Sequence, residues 1–179
     1  MPEGGKHAPI LIATSWQALN RLRFEGPDTQ LCNSTVVILF AGFYVEANLN
    51  HIIEQLGAAG RLKTFSQKRH PGLQDKMAWF YNEFIARAKE PDLRHLYKRG
   101  VAPKLRRRFK GFAKLYRFRN DLSHGIVNKS ARSVQETLQL RQQAKDIADE
   151  LFAILQRRGH TVPRDINYYE AIRAQGRAP

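Results

Sequence analysis

The sequence predicts an all-α protein, an up-and-down bundle of four to five main helices. Apolar residues recur at spacings of three, four and seven along almost every long segment, which is the period of an amphipathic helix. The chain has no β-hairpin signature, no internal repeat and no low-complexity tract. With 179 residues, of which 42% are hydrophobic, it is long enough to fold as one domain around its own core.

The first helix is predicted at Ile10–Leu22, after a flexible N-terminal tail at 1–9. Gly26 and Pro27 then interrupt the helical pattern, because a proline ring is not accommodated in the interior of a helix. Counted from the first helix to the last, the helical domain is predicted to span 10–159.

The second helix is predicted to begin at Asn33 or Ser34, either of which suits the N-cap position, and to run to about Leu56. Its first half, VVILFAGFYV, is apolar nearly all round, which is typical of a helix in the centre of a bundle. Gly57 and Gly60 are predicted to end it, since glycine readily adopts the left-handed conformation that closes helices.

Three more helices are predicted after a loop at 71–72. The first covers 73–89, where aromatic and aliphatic residues form one stripe, and a shorter one over 91–97 begins with proline. A strongly basic helix is then predicted over 104–123, with its apolar residues again at helical spacing.

The last long helix opens with Ser133 and Glu136, which have the spacing of a capping box, and is predicted to end at Gly159. The remaining residues, 160–179, are predicted to form a C-terminal tail that could include a short helix around 168–173. This completes a bundle in which every main element is helical.

Positive charge is the strongest compositional signal. There are 30 Lys and Arg against 16 Asp and Glu, a net charge of +14. From Arg94 to Arg119 eleven residues are Lys or Arg and none is Asp or Glu. A field of this sign favours polyanions, so we predict a nucleic acid such as RNA as the partner. An anionic membrane surface is a distant second, and a surface that serves solubility alone is the remaining alternative.

The rest of the composition bounds the compartment and the chemistry. One cysteine, Cys32, excludes a disulfide framework within the chain and suits a reducing environment. No signal-peptide pattern is present, and the longest apolar stretch, 36–45, is about half the length that spans a bilayer. We therefore predict a cytoplasmic protein outside the membrane. The six His form no HxxxH or HExxH pair, and no GxxxxGK[ST] or GxSxG motif occurs, so neither a metal nor a cofactor is predicted.

Near the middle of the chain, YRFRNDLSHG places Arg119 and His124 five residues apart. On an unbroken helix their side chains would point about 140° apart. Gly125 suits the C′ position, so the helix is predicted to stop at about Ser123 or His124, and His124 could then swing back toward Arg119. Asn120 lies on the same face as His124 and could orient the imidazole.

These residue types suit one kind of chemistry. An imidazole can donate or accept a proton near neutral pH, and a guanidinium stays charged and matches phosphate oxygens. Together they suit RNA cleavage in which the ribose 2′-hydroxyl attacks the adjacent phosphate, with His124 handling protons and Arg119 stabilising phosphoryl charge. The simpler alternative is a structural His124 that bonds the last carbonyls of its helix.

The stretch RNDLSH resembles the Arg-x(4–6)-His signature of HEPN domains, in which a polar residue, often Asn, directly follows the Arg. Arg119, Asn120 and His124 match it, and the order of helices over most of 30–158 is similar to that of the family. The resemblance implies an HEPN-like bundle and a metal-independent endoribonuclease, commonly a homodimer whose two motifs form one cleft. Such proteins often act as toxins of toxin–antitoxin pairs or in defence against phage, and any antitoxin here would be a separate chain.

Two further sets of residues are candidates for the site. The basic run around the motif is predicted to hold the rest of the RNA strand through Lys104, Arg106, Arg107, Arg108, Lys110, Lys114 and Arg117. Glu46 is a second-tier candidate, because a carboxylate in an apolar helix is costly unless it is paired, and Arg119 or Arg141 is an expected partner. A partly exposed Glu46 without a role is the alternative. For the whole chain, the alternative to a ribonuclease is a non-catalytic helical protein that binds nucleic acid or regulates a partner.

Overall fold

The computed structural model describes residues 27–86, 109–124 and 133–163, with side chains from 33 onward. Within these ranges the protein is all-α, as predicted, and contains no strand. Its elements are α1 (Pro27–Gln55), α2 (Ala59–Ser66), α3 (Leu73–Tyr81), a π-helical turn (Asn82–Ala86), α4 (Phe112–Ser123) and α5 (Val134–Arg157). The helices predicted at 10–22 and 91–97 and the tail at 164–179 lie outside the described residues.

Helix α1 is the central helix of the bundle. It packs most extensively on α5 and next on α4, and its inward side chains, among them Val37, Ile38 and Leu49, are fully buried. It begins at Pro27 and not at the predicted Asn33 or Ser34. The reason is that proline is well tolerated in the first turn of a helix, where its missing N–H has no intrahelical acceptor.

One stretch of α1, Asn33–Gln55, is long and apolar enough to cross a bilayer by length and composition alone. Two thirds of it (67%) is buried against the rest of the protein. The central helix of a bundle also meets these criteria of length and composition. The cytoplasmic location and the lack of membrane contact therefore stay predictions.

Helix α1 ends as predicted, with Gly57 in the left-handed conformation (φ 59°). The short helix α2 that follows was not predicted, because only Leu62 and Phe65 on it are buried and eight residues give little periodicity. Helix α3 begins at Leu73 as predicted. After Tyr81 the helix continues as the π-helical turn, in which the hydrogen bonds span five residues. A search for a 3.6-residue apolar period does not predict this change.

Helix α4 begins at Phe112, so the continuous helix predicted from Lys104 is wrong between Phe109 and Gly111. Gly111 is the N-cap and adopts the left-handed conformation, with φ 87°. A Cβ at this position would lie 2.0 Å from Oε1 of Gln143 on α5. Both the backbone angle and the close approach of α5 therefore require glycine here.

We expect Gly111→Ala to lower the free energy of unfolding by about 2–4 kcal/mol, because left-handed strain and overpacking each cost roughly 1–3 kcal/mol. Urea denaturation measures the loss. Gly60→Ala is the matched control, since Gly60 is helical and a methyl group added to it would meet no atom within 4 Å. This control should be neutral or stabilising by about 0.5–1 kcal/mol. Equal losses in the two variants would contradict the account of Gly111.

Helix α5 has the ends that the sequence predicted. The Ser133 hydroxyl accepts a hydrogen bond from the Glu136 backbone N–H at 3.2 Å, which is half of a capping box. Gly159 closes the helix with φ 77°. Between these ends a continuous apolar stripe that includes Ala144, Ile147 and Leu151 is buried.

The segment after α5 is tied back to the bundle by three contacts. The His51 ring on α1 donates from Nε2 to the carbonyl oxygen of Pro163 at 2.9 Å. Nε of Arg158 donates to the carbonyl oxygen of Phe84 at 2.8 Å, and the His160 ring meets the Phe84 ring edge to face. The first four residues of the predicted tail, 160–163, therefore pack on the domain.

Candidate functional site

Arg119 lies on the side of α4 that faces α1. Its side chain crosses α1 at Gly42, where a Cβ would stand 2.7 Å from Cγ of Arg119. The absence of a side chain at Gly42 is therefore what lets the arginine pass between the two helices. The short residue on α1 and the long cation on α4 form one steric unit.

The arginine reaches Glu46, one turn further along α1. Its Nη2 donates to Oε2 of Glu46 at 3.0 Å, and Nζ of Lys76 on α3 donates to Oε1 at 2.6 Å. The three side chains are mostly buried, with 23%, 19% and 13% of Arg119, Glu46 and Lys76 exposed. The prediction that Glu46 pairs with Arg119 is confirmed, and the second cation was missed.

Arg119 keeps most of its hydrogen-bonding capacity. A guanidinium has five N–H donors, and the bond to Glu46 is the one donated within the described part of the chain. Its Nε is buried and has no acceptor. The guanidinium carbon also lies 5.4 Å from the centre of the Phe43 ring. Arg119 is thus held in place by one carboxylate and one aromatic ring. Because Nε is buried, a further anion would have to meet the terminal N–H groups.

His124 stands at the end of the same helix but on another face. Helix α4 stops at Ser123, as predicted, and the His124 backbone N–H still donates to the carbonyl oxygen of Asn120 at 3.1 Å. The same N–H also donates to the carbonyl oxygen of Asp121 at 3.2 Å, and the backbone angles of His124, φ −99° and ψ 11°, make it the C-cap of the helix. On a regular helix, two side chains five residues apart project about 140° apart. The swing of His124 back toward Arg119 stays a prediction.

Two other residues of α4, Arg117 and Asn120, share its outer face with His124. Arg117 and Asn120 precede it by seven and four residues, which places all three on one stripe of the helix. Arg117 and His124 are exposed and Asn120 is half-buried. No side-chain hydrogen bond joins Asn120 to His124 in the described structure, so the orienting role of Asn120 remains a prediction.

Three of the seven residues that are predicted to hold RNA lie in the described part of the chain. The four between 104 and 108 lie outside the described residues. Lys110 is exposed in the turn before α4, and Lys114 forms an ion pair with Glu136 at the start of α5. The guanidinium of Arg117 lies 5.2 Å from the Phe118 ring centre. These cations lie along the outer and α5 sides of α4, away from the side that carries Arg119.

Among the described residues no group of three or more His, Cys, Asp and Glu could hold a metal ion. One set of charged groups that the fold brings together is the pair of cations and the carboxylate around Glu46. This set carries a net charge of +1, which favours an incoming phosphate over an incoming cation.

No protein-family model, no curated protein and no solved structure matches this chain significantly.

We expect Gly42→Ala to displace Arg119 and to lower the free energy of unfolding by about 0.5–2 kcal/mol. Alanine in a helix gains about 0.5–1 kcal/mol over glycine, but the new methyl group would stand 2.7 Å from Cγ of Arg119, and overpacking costs about 1–3 kcal/mol. Urea denaturation measures the balance.

The control is the double variant Gly42→Ala/Arg119→Ala, which removes the clashing Cγ. The two substitutions should be strongly non-additive, with the double variant more stable than the sum of the single effects. Additive losses would show that Gly42 and Arg119 are not one steric unit.

Proposed function

We propose that this chain is a metal-independent endoribonuclease of the HEPN type. The supporting observation is the state of Arg119: a mostly buried side chain that donates one hydrogen bond among the described residues, to Glu46, and lies beside Phe43, while 23% of it stays accessible. A purely structural arginine at this depth would be expected to satisfy more of its donors. A phosphate oxygen is the acceptor that the fork of a guanidinium fits best.

The reaction would be an internal transfer. The 2′-hydroxyl of the ribose attacks the neighbouring phosphorus, the bond from phosphorus to the 5′-oxygen breaks, and a 2′,3′-cyclic phosphate and a 5′-hydroxyl end are formed. His124 would move the proton between the attacking and leaving oxygens, and Arg119 would stabilise the negative charge on the phosphoryl oxygens. Asn120 would orient the imidazole. No cofactor takes part in these steps.

The separation of Arg119 and His124 on α4 supports a homodimer as the active form. Because a regular helix separates side chains five residues apart by about 140°, one copy does not readily place both on the same phosphate. In a symmetric dimer, Arg119 of one protomer and the partner subunit's His124 can line a shared cleft. Each of the two equivalent sites would then draw one group from each chain.

The remaining charge suits a long polyanionic substrate. A net charge of +14 would attract RNA, with Lys104, Arg106, Arg107, Arg108, Lys110, Lys114 and Arg117 as phosphate contacts. An acidic antitoxin encoded as a separate chain could dock on the same basic run. In this proposal the protein is a cytoplasmic toxin or phage-defence effector.

The proposal is tested with purified protein, a chelator and a labelled single-stranded RNA. We expect cut products that end in cyclic phosphate, and none from the same oligonucleotide made of DNA, which lacks the attacking hydroxyl. Expression should arrest growth, and Arg119→Ala should relieve the arrest, whereas Lys63→Ala, which removes an exposed cation on α2, should not. An intact RNA after prolonged incubation with the wild-type dimer would refute the enzyme.

The ion pair also favours a second candidate, a non-catalytic nucleic-acid-binding protein. Arg119 bonded to Glu46, with Lys76 on the other oxygen, has a sufficient role in joining α1, α3 and α4. In that case wild-type protein would retard RNA in a native gel, with an affinity that falls steeply as the salt concentration rises, and would leave the strand uncut.

A further inference from the structure

Phe43 is the one large apolar side chain that stays exposed among the described residues, with 39% of it accessible. It lies on α1 immediately after Gly42 and one turn before Glu46, so it borders the site described above. A single exposed ring on a surface is ordinary. A ring that is exposed directly beside a buried cation with unused donors is not explained by packing.

Two neighbours hold the Phe43 ring in place. The Phe40 ring meets it edge to face, with centres 6.0 Å apart and planes at 88°. The Arg119 guanidinium lies 5.4 Å from its centre. The ring is therefore fixed before any ligand arrives, which lowers the entropic cost of binding to it.

An aromatic ring beside a guanidinium favours a ligand in which a flat group, which can stack on the ring, is adjacent to an anionic group, which can bind the guanidinium. A nucleotide in a single strand has this form, since its base has two flat faces and its phosphate lies a few ångströms away. Bases stack on aromatic side chains without regard to sequence, and the bases of a duplex are not free to do so. The positive charge of the chain favours the same ligand.

We propose that Phe43 is a base-stacking platform that holds an unpaired base next to the phosphate bound by Arg119. The inference rests on the proposed function for the identity of that phosphate as the cleaved one. The platform restricts the RNA substrate to single strands and loops in which the base at the cleaved linkage is unpaired.

The test measures binding apart from cleavage. In a His124→Ala background, which keeps the RNA intact, a single-stranded RNA with 2-aminopurine reports stacking by quenching of its fluorescence. Phe43→Leu should weaken the binding about 5- to 100-fold, the range for loss of one stacked base, and should abolish the quenching. Phe43→Trp should retain both, because tryptophan offers a larger ring.

Tyr81→Leu is the matched control, since it makes the same kind of change at a half-buried ring on α3. It should bind RNA as the parent does. The same RNA annealed to its complement should bind Phe43→Leu and parent alike. Unchanged single-strand affinity in Phe43→Leu would overturn the platform and leave the nuclease proposal standing if wild-type protein cuts this RNA.

Two other outcomes separate the proposals. If wild-type protein does not cut RNA but its binding depends on an aromatic residue at 43, the platform stands and the nuclease fails. If Phe43→Leu converts a dimer into a monomer in light scattering, the ring is covered by a second copy of the chain and the platform is refuted.

Discussion

Replacing His124 with alanine should lower the rate of RNA cleavage by about 10²–10⁴-fold, the usual contribution of a general acid–base group. RNA affinity should stay within about twofold, because the imidazole is not among the phosphate-binding cations. Stability should also be unaffected, since the side chain is exposed and makes no side-chain hydrogen bond in the described structure. Single-turnover cleavage, RNA titration and urea denaturation measure the three quantities.

His70→Ala is the matched control, an exposed histidine in the loop before α3, and it should cleave RNA at the wild-type rate. An equal loss in both variants would point to a general effect of losing a histidine. Cleavage by His124→Ala at the wild-type rate would remove the acid–base role and with it the mechanism proposed above.

The same variant tests how the site is divided between two chains. Arg119→Ala and His124→Ala protomers, each inactive alone, should complement each other when mixed and allowed to exchange. About half the dimers would then be mixed, each with one intact site of two, so about a quarter of wild-type activity should return. If both groups of a site came from one chain, mixing would restore nothing.

Replacing Glu46 with glutamine should lower the free energy of unfolding by about 2–4 kcal/mol. The change leaves Lys76 and Arg119 mostly buried and facing each other without a carboxylate. Breaking a fully buried ion pair in this way costs about 3–5 kcal/mol, and the residual exposure of 13–23% places the cost somewhat lower. Urea denaturation gives the value, and RNA cleavage should fall as well because Arg119 loses its anchor.

Glu83→Gln provides the comparison. Glu83 forms an ion pair with Arg61 in which both side chains are about a third or more exposed, and such pairs contribute about 0–1 kcal/mol. If Glu46→Gln cost no more than Glu83→Gln, the cluster around Glu46 would be a surface feature and the fixed position of Arg119 would lose its explanation.

The fold was predictable where local signals agree. Both long helices, α1 and α5, combine a sustained apolar period with end signals such as Gly57, Ser133 and Gly159. The start of α4 was missed because apolar residues keep helical spacing from Leu105 through Phe109 to Phe112, whereas Gly111 takes the left-handed conformation close to Gln143 on α5. The approach of another helix is a tertiary feature, which the spacing of apolar residues along the sequence does not report.

The same distinction applies to the site. The partner of Glu46 followed from the cost of burying a charge, and Arg119 was among the cations expected. Lys76 was missed because only the packing of α3 brings it to α1. One signal was available: it is the lone cation in LQDKMAWFY, a helix whose other side chains are mainly buried. The backbone at His124 likewise depends on hydrogen bonds of its N–H to the carbonyl oxygens of Asn120 and Asp121, which the sequence does not specify.

The pairing of α1 with α5 has a consequence for how the protein is made. Helix α1, the most apolar of the described helices, leaves the ribosome roughly a hundred residues before its main packing partner α5, an interval of about 5–20 s of synthesis at common rates. During that interval the apolar face of α1 that α5 covers in the folded protein is exposed to solvent. Its yield should therefore depend on holdase chaperones more than its modest size suggests.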